Sequence, residues 1–150
     1  MKNLYRIILA ISVLTLSVSC GKKGDEGPVV SDKIVAEWHL LSVSGMSSVP
    51  QVYVEFAKDL SFELYQKIGE GPHYLYKGKY KFDGEILTGT YSDYTPWAHD
   101  YKVSKSGKSL VLTSVAVPEY SLTYERQAIP ESVKTHFLPV TKAVSATPIL

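Results

Sequence analysis

The nine residues Tyr74-Leu75-Tyr76-Lys77-Gly78-Lys79-Tyr80-Lys81-Phe82 decide how the rest of the chain is read. Tyr74, Tyr76, Gly78, Tyr80 and Phe82 share one parity, while Lys77, Lys79 and Lys81 share the other. Successive side chains of a strand point to opposite faces, so this stretch reads as a strand with an apolar inside and a cationic outside. Asp83-Gly84 follows, a dipeptide that tolerates positive φ and marks a tight two-residue hairpin into a second strand over 85–91. Upstream, Val52, Val54 and Phe56 alternate with Tyr53 and Glu55, and Phe62 and Leu64 alternate with Ser61 and Glu63 across a turn at Lys58-Asp59. Downstream, strands are expected near 99–104, 110–115 and 120–126, with turns at Lys105-Ser106-Gly107-Lys108 and Val117-Pro118-Glu119. A further strand over 35–43 makes eight.

Short connections favour antiparallel pairing of neighbours, and a meander of eight short strands can close on itself and remove its exposed edges. The expected fold is therefore all-β: a small eight-stranded antiparallel up-and-down barrel, with an open sandwich as the alternative. Composition agrees. Apolar residues make up 45% and charged residues 21%, a globular balance that excludes wholesale disorder. Eleven tyrosines against four phenylalanines favour pleated surfaces over helices. After Arg126, Ile129-Pro130-Glu131 suggests a brief helix, and 139–150 is expected to fray.

The formal charge of +1 leaves no basic field to hold a nucleic-acid backbone, so nucleic acid is not an expected partner. One cysteine makes no internal disulfide, and with four scattered histidines it supplies no structural zinc site of the usual kind. That cysteine has a different use. Lys2 and Arg6 precede an uncharged run over 7–18, too short to span a bilayer, and Ser19-Cys20 ends it. Leu16-Ser17-Val18-Ser19-Cys20 resembles a bacterial lipobox, with Ser17 where leucine usually stands. Lipidation of Cys20, as with palmitate, would fasten the protein to a membrane without spanning it, each buried methylene contributing ~0.8 kcal/mol. Of the 16 basic residues, cleavage before Cys20 removes Lys2 and Arg6, leaving 14 against 15 acidic. The following Gly21-Lys22-Lys23-Gly24-Asp25-Glu26 is polar and aperiodic, and reads as the start of a flexible tether. The expected organisation is a signal peptide at 1–19, lipidated Cys20 and tether over 20–33, the barrel over 34–128, and a short helix with a frayed tail over 129–150.

Ala36-Glu37-Trp38 with Leu40-Leu41, then Tyr53-Val54-Glu55-Phe56, Gly78-Lys79-Tyr80, Leu87-Thr88-Gly89-Thr90-Tyr91 and Leu122-Thr123-Tyr124-Glu125-Arg126, occur in strand order. On these residues the chain resembles the small lipocalin-like lipoproteins of the Bacteroidota. Ala36 stands where the lipocalin-like opening has glycine. The resemblance implies that Arg126 packs across Trp38 to close one end of the barrel, an arrangement that cation–π attraction makes sensible. It also implies an outer-membrane lipoprotein, facing the periplasm or exposed on the cell surface.

No residue pattern argues for catalysis. The chain has no G-x-S-x-G, Gly69-Glu70-Gly71-Pro72 lacks the lysine of a phosphate loop, and His99-Asp100 are strand neighbours that would point apart. No cofactor is expected. Inward tyrosines combine apolar area with a hydroxyl that needs a partner. Tyr76, Tyr80, Tyr91, Trp97 and Tyr101 are therefore the candidate ligand-binding residues at the barrel mouth, for a small hydrophobic or aromatic molecule. The alternative is a filled barrel, since eight short strands enclose either packed side chains or one small ligand. A filled barrel would make the protein a structural or protein-interaction subunit of the envelope. A continuous opening past Tyr76, Tyr80, Trp97 and Tyr101 favours the first reading; a plugged interior with an exposed apolar patch favours the second.

Overall fold

The computed structural model describes residues 33–140 and 147–150. The expected signal peptide, Cys20 and all of the tether except Lys33 lie outside them. Eight strands form the expected meander: β1 (Ala36–Val43), β2 (Val52–Phe56), β3 (Ser61–Lys67), β4 (His73–Phe82), β5 (Ile86–Tyr91), β6 (Tyr101–Ser106), β7 (Ser109–Ser114) and β8 (Ser121–Arg126). Each pairs antiparallel with the next, and β8 returns to β1, so the sheet closes into a barrel. A short helix α1 (Glu131–Thr135) and a strand β9 (Phe137–Pro139) follow.

The alternation read from β4 holds from Tyr76 to Phe82. Tyr76, Tyr80 and Phe82 are buried inside, and Lys77, Lys79 and Lys81 are exposed. Trp38, Leu40, Val54, Phe56, Phe62, Leu64, Leu87, Leu110, Leu112, Leu122 and Tyr124 complete a continuous interior. A bulge between Leu40 and Ser42 shifts the β1–β8 register, leaving Leu41 on the outside and returning Val43 to the core.

The turns belong to two ends. Loops 57–60, 83–85 and 107–108, together with Ile34, lie at the closed end; loops 44–51, 68–72, 92–100 and 115–120 lie at the mouth. The β4–β5 connection is one residue longer than expected. Asp83 Oδ1 accepts from the amides of Glu85 and Ile86, 2.8 and 2.7 Å away, and Gly84 has φ 101°. The side chain thus supplies the acceptor that a two-residue turn would draw from backbone. Gly107-Lys108 is the true two-residue hairpin, with Gly107 at φ 55°.

At the β2–β3 turn Asp59 accepts from both the amide and the hydroxyl of Ser61, and these bonds hold its carboxyl at about 2, below the ordinary 3.8. Because the folded value is depressed, the contribution of this turn is complete above pH 3.8 and is lost as pH falls through about 2. Carbon-detected NMR titration should place Asp59 near 2, and Ser61→Ala should move it towards 3.8. An unmoved value would show that Ser61 is not the cause.

Three large residues break the inside–outside rule. Tyr53, Tyr65 and Leu75 point outward from β2, β3 and β4, yet are buried. They lie beneath Ile129 and Val133, with Phe137 packed against the cluster and its ring 5.9 Å from that of Tyr65. Glu37 fastens this cover. Its carboxylate accepts from the Ile129 amide at 2.6 Å and from the Lys134 ammonium. Strand β9 then runs parallel to β4 against its residues 73–75. That stretch of edge is free because β5 pairs β4 only from Gly78 to Phe82.

Candidate functional site

At the closed end Trp38 is fully buried, and its indole N–H donates to the Ile34 carbonyl at 2.8 Å. Trp38 and Arg126 are direct cross-strand neighbours, and Arg126 is exposed. Ile34 beneath the indole, with Phe56 and Tyr80, fills this end. Tyr80 belongs here too, and not to the mouth: its hydroxyl donates to the Ala57 carbonyl in the β2–β3 turn at 2.7 Å.

The other four candidate residues gather near the mouth, but they do not line an open channel. Loop 92–100 doubles back on β5. The Tyr91 amide donates to Thr95, Thr90 pairs with Pro96, and the Trp97 amide donates to Gly89. These bonds drive the Trp97 ring into the barrel, 5.1 Å from Phe62 and 6.3 Å from both Phe56 and Tyr101 between centroids. Gly89 makes the room. A Cβ there would stand 2.2 Å from a Trp97 ring carbon. Gly78 does the same for the wall, where a Cβ would stand 2.1 Å from the Thr90 carbonyl oxygen and 2.7 Å from Phe62.

The space above Trp97 is taken by residues 147–150, which sequence reasoning leaves as a frayed tail. Leu150 is 1% exposed and belongs to the main core. The Tyr91 hydroxyl donates to its main-chain oxygen at 2.7 Å, and the Tyr101 hydroxyl reaches the Ile149 carbonyl at 3.5 Å. Gln66, which the sequence reading did not single out, bonds the same segment twice. Its Nε2 donates to the Thr147 carbonyl at 3.2 Å, and its Oε1 accepts from the Ile149 amide at 3.0 Å. Burial pushes the Tyr91 and Tyr101 hydroxyls well above their ordinary value, so both remain donors across the physiological range. A groove of about 1200 Å³ opens beside the segment, lined by Tyr76, Tyr91, Pro96, Phe137, Val140 and Pro148 among others.

Among the described residues, two polar atoms inside the barrel have no bonding partner: Trp97 Nε1 and Tyr124 Oη. A hydroxyl buried without a partner keeps its desolvation penalty, so Tyr124→Phe is expected to hold or raise stability by up to about 1 kcal/mol in urea unfolding. A loss above about 1 kcal/mol would show that the hydroxyl is satisfied.

His99 lies in the mouth loop just ahead of β6, and its Nδ1 is 3.2 Å from the hydroxyl of buried Ser114. The Ser114 oxygen already accepts from the Val117 amide at 3.0 Å, and the His99 ring packs against Tyr101 and Tyr120. The pair ties loop 115–120 to loop 92–100. Among the described residues no cluster of three or more His, Cys, Asp or Glu is placed to hold a metal ion.

The class defined is an all-β protein whose closed eight-stranded antiparallel barrel carries one extra parallel strand and a plugged mouth. No known protein-family model matches the chain, and no curated protein matches it significantly.

Proposed function

We propose that this protein is a membrane-tethered, noncatalytic, lipocalin-like lipoprotein of the bacterial outer membrane, anchored through Cys20 and facing the periplasm or the cell surface. Of its two expected modes of action, a small hydrophobic ligand at the mouth or a partner protein of the envelope, the second is favoured. The observation that carries this choice is the occupation of the interior by Trp97 from the mouth loop and Leu150 from the final segment. A ligand seeking the barrel core would have to displace both. The groove beside residues 147–150 remains as a contact surface outside the core.

Radiolabelled palmitate should enter the full-length product and fail to enter Cys20→Ala. Native mass spectrometry of protein beginning at Gly21, made in its source organism and gently purified, should show the bare polypeptide mass. A small apolar molecule retained in stoichiometric amount would restore the ligand reading, and failure of palmitate to enter would remove the anchor.

A further inference from the structure

We propose that the barrel mouth is a peptide-binding site, occupied here by Thr147-Pro148-Ile149-Leu150 of the same chain, for which an extended apolar segment of another polypeptide competes. The inference rests on the protein-partner reading above and names the chemistry of the partner.

The argument comes from what the mouth touches. The four polar contacts to the segment engage main-chain atoms: the Thr147 carbonyl, both polar atoms around Ile149, and the Leu150 oxygen. Gln66 supplies a donor and an acceptor together, which is how a neighbouring strand would meet an extended backbone. Tyr91 and Tyr101 are donors held neutral by burial, and they lie against the Leu150 main-chain oxygen and the Ile149 carbonyl. A small hydrocarbon or aromatic molecule offers nothing to these groups. A peptide offers all of it, whatever its side chains. One side chain is read: Leu150 descends among core residues, so a branched aliphatic residue is required at that position. The adjoining groove is lined in part by apolar Phe137 and Val140.

Because the resident segment is tethered, it competes at an effective concentration of the order of mM. A free peptide should therefore bind the intact protein weakly and bind strongly once the segment is expelled. The test uses protein beginning at Gly21, in wild-type and Leu150→Asp forms, and a fluorescein-labelled Ser-Ala-Thr-Pro-Ile-Leu peptide followed by anisotropy. Leu150→Asp places a charge where the core admits none. It should bind the peptide at least about tenfold more tightly than wild type, and adding Gln66→Ala should weaken that binding about tenfold. Equal binding by wild type and a cooperatively melting Leu150→Asp variant, or none by either, overturns the proposal.

Should Leu150→Asp not fold, the wild-type protein decides. Excess unlabelled peptide should move the Leu150 methyl resonances to exposed values, and resonances unmoved at millimolar peptide overturn the proposal. A Leu150→Asp protein that ignores the peptide yet retains a small apolar host molecule defeats the partner reading as well; one that ignores the peptide and retains nothing defeats this inference alone.

Discussion

Gly89→Ala should destabilise the barrel by at least about 3 kcal/mol in urea unfolding. Its Cβ would stand 2.2 Å from one Trp97 ring carbon and 2.5 Å from two others. The ring has no free direction in which to retreat. Phe56, Phe62 and Tyr101 surround it, and the bond from its own amide to the Gly89 carbonyl at 2.9 Å ties it to the mutated residue. Overpacking commonly costs about 1–3 kcal/mol, and a clash with a fixed ring belongs at or beyond the top of that range. Trp97→Ala should itself cost about 3–5 kcal/mol through the cavity it leaves. Combined with Gly89→Ala it should cost far less than the two losses added, because the methyl then occupies space the ring has vacated. A Gly89→Ala loss below about 1 kcal/mol would place the indole elsewhere.

Trp38→Ala should cost about 3–5 kcal/mol, whereas Arg126→Ala should cost less than about 0.5 kcal/mol. Trp38 loses a fully buried ring and leaves the Ile34 carbonyl without its indole donor. Arg126 is exposed, and its amide bond to the Lys108 carbonyl at 2.7 Å survives truncation. Equilibrium unfolding of both variants separates a barrel end closed by Ile34, which precedes β1, from one closed by a guanidinium. An Arg126→Ala loss above about 1.5 kcal/mol would favour the guanidinium.

The period-two pattern carries the barrel because inward and outward environments differ so sharply along β4, where lysines alternate with aromatic residues. All eight strands were legible in that way, and the brief helix from Pro130 followed by Glu131. The outer cover was legible in part. Tyr53, Tyr65 and Leu75 are apolar residues at outward positions of neighbouring strands, and such a patch needs a covering element. What the sequence does not state is which segment covers it, since α1 is only five residues long and β9 only three.

The plug is harder to see, because it depends on contacts between residues far apart in the chain. One signal was present. Gly78 and Gly89 occupy inward positions on adjacent strands, and an inward glycine in a barrel strand marks a place where another group approaches closely. Loop 92–100, which follows Gly89, offers an indole to take the space. Tyr76, Tyr91, Trp97 and Tyr101 are expected to line an open mouth; the structure packs all four into the buried core near it, with Tyr76 and Tyr91 also bordering the adjoining groove. Tyr80 was misplaced because parity tells which face a residue occupies, but not how far along the barrel axis its hydroxyl reaches. Ile149-Leu150 gave no periodic signal, since a segment docked by two aliphatic residues has no repeat to reveal it. Gln66 was missed for the same reason: its role exists only once residues 147–150 return.

The filled interior decides between a ligand and a partner at the mouth, and proton–proton NOE measurements on uniformly labelled protein beginning at Gly21 test it most directly. The account predicts cross-peaks from the Trp97 indole to the Gly89 α-protons and the Phe62 ring, and from the Leu150 methyls to the rings of Tyr91 and Tyr101. A well-dispersed spectrum in which Trp97 and Leu150 show solvent-exposed shifts and none of these cross-peaks would contradict it.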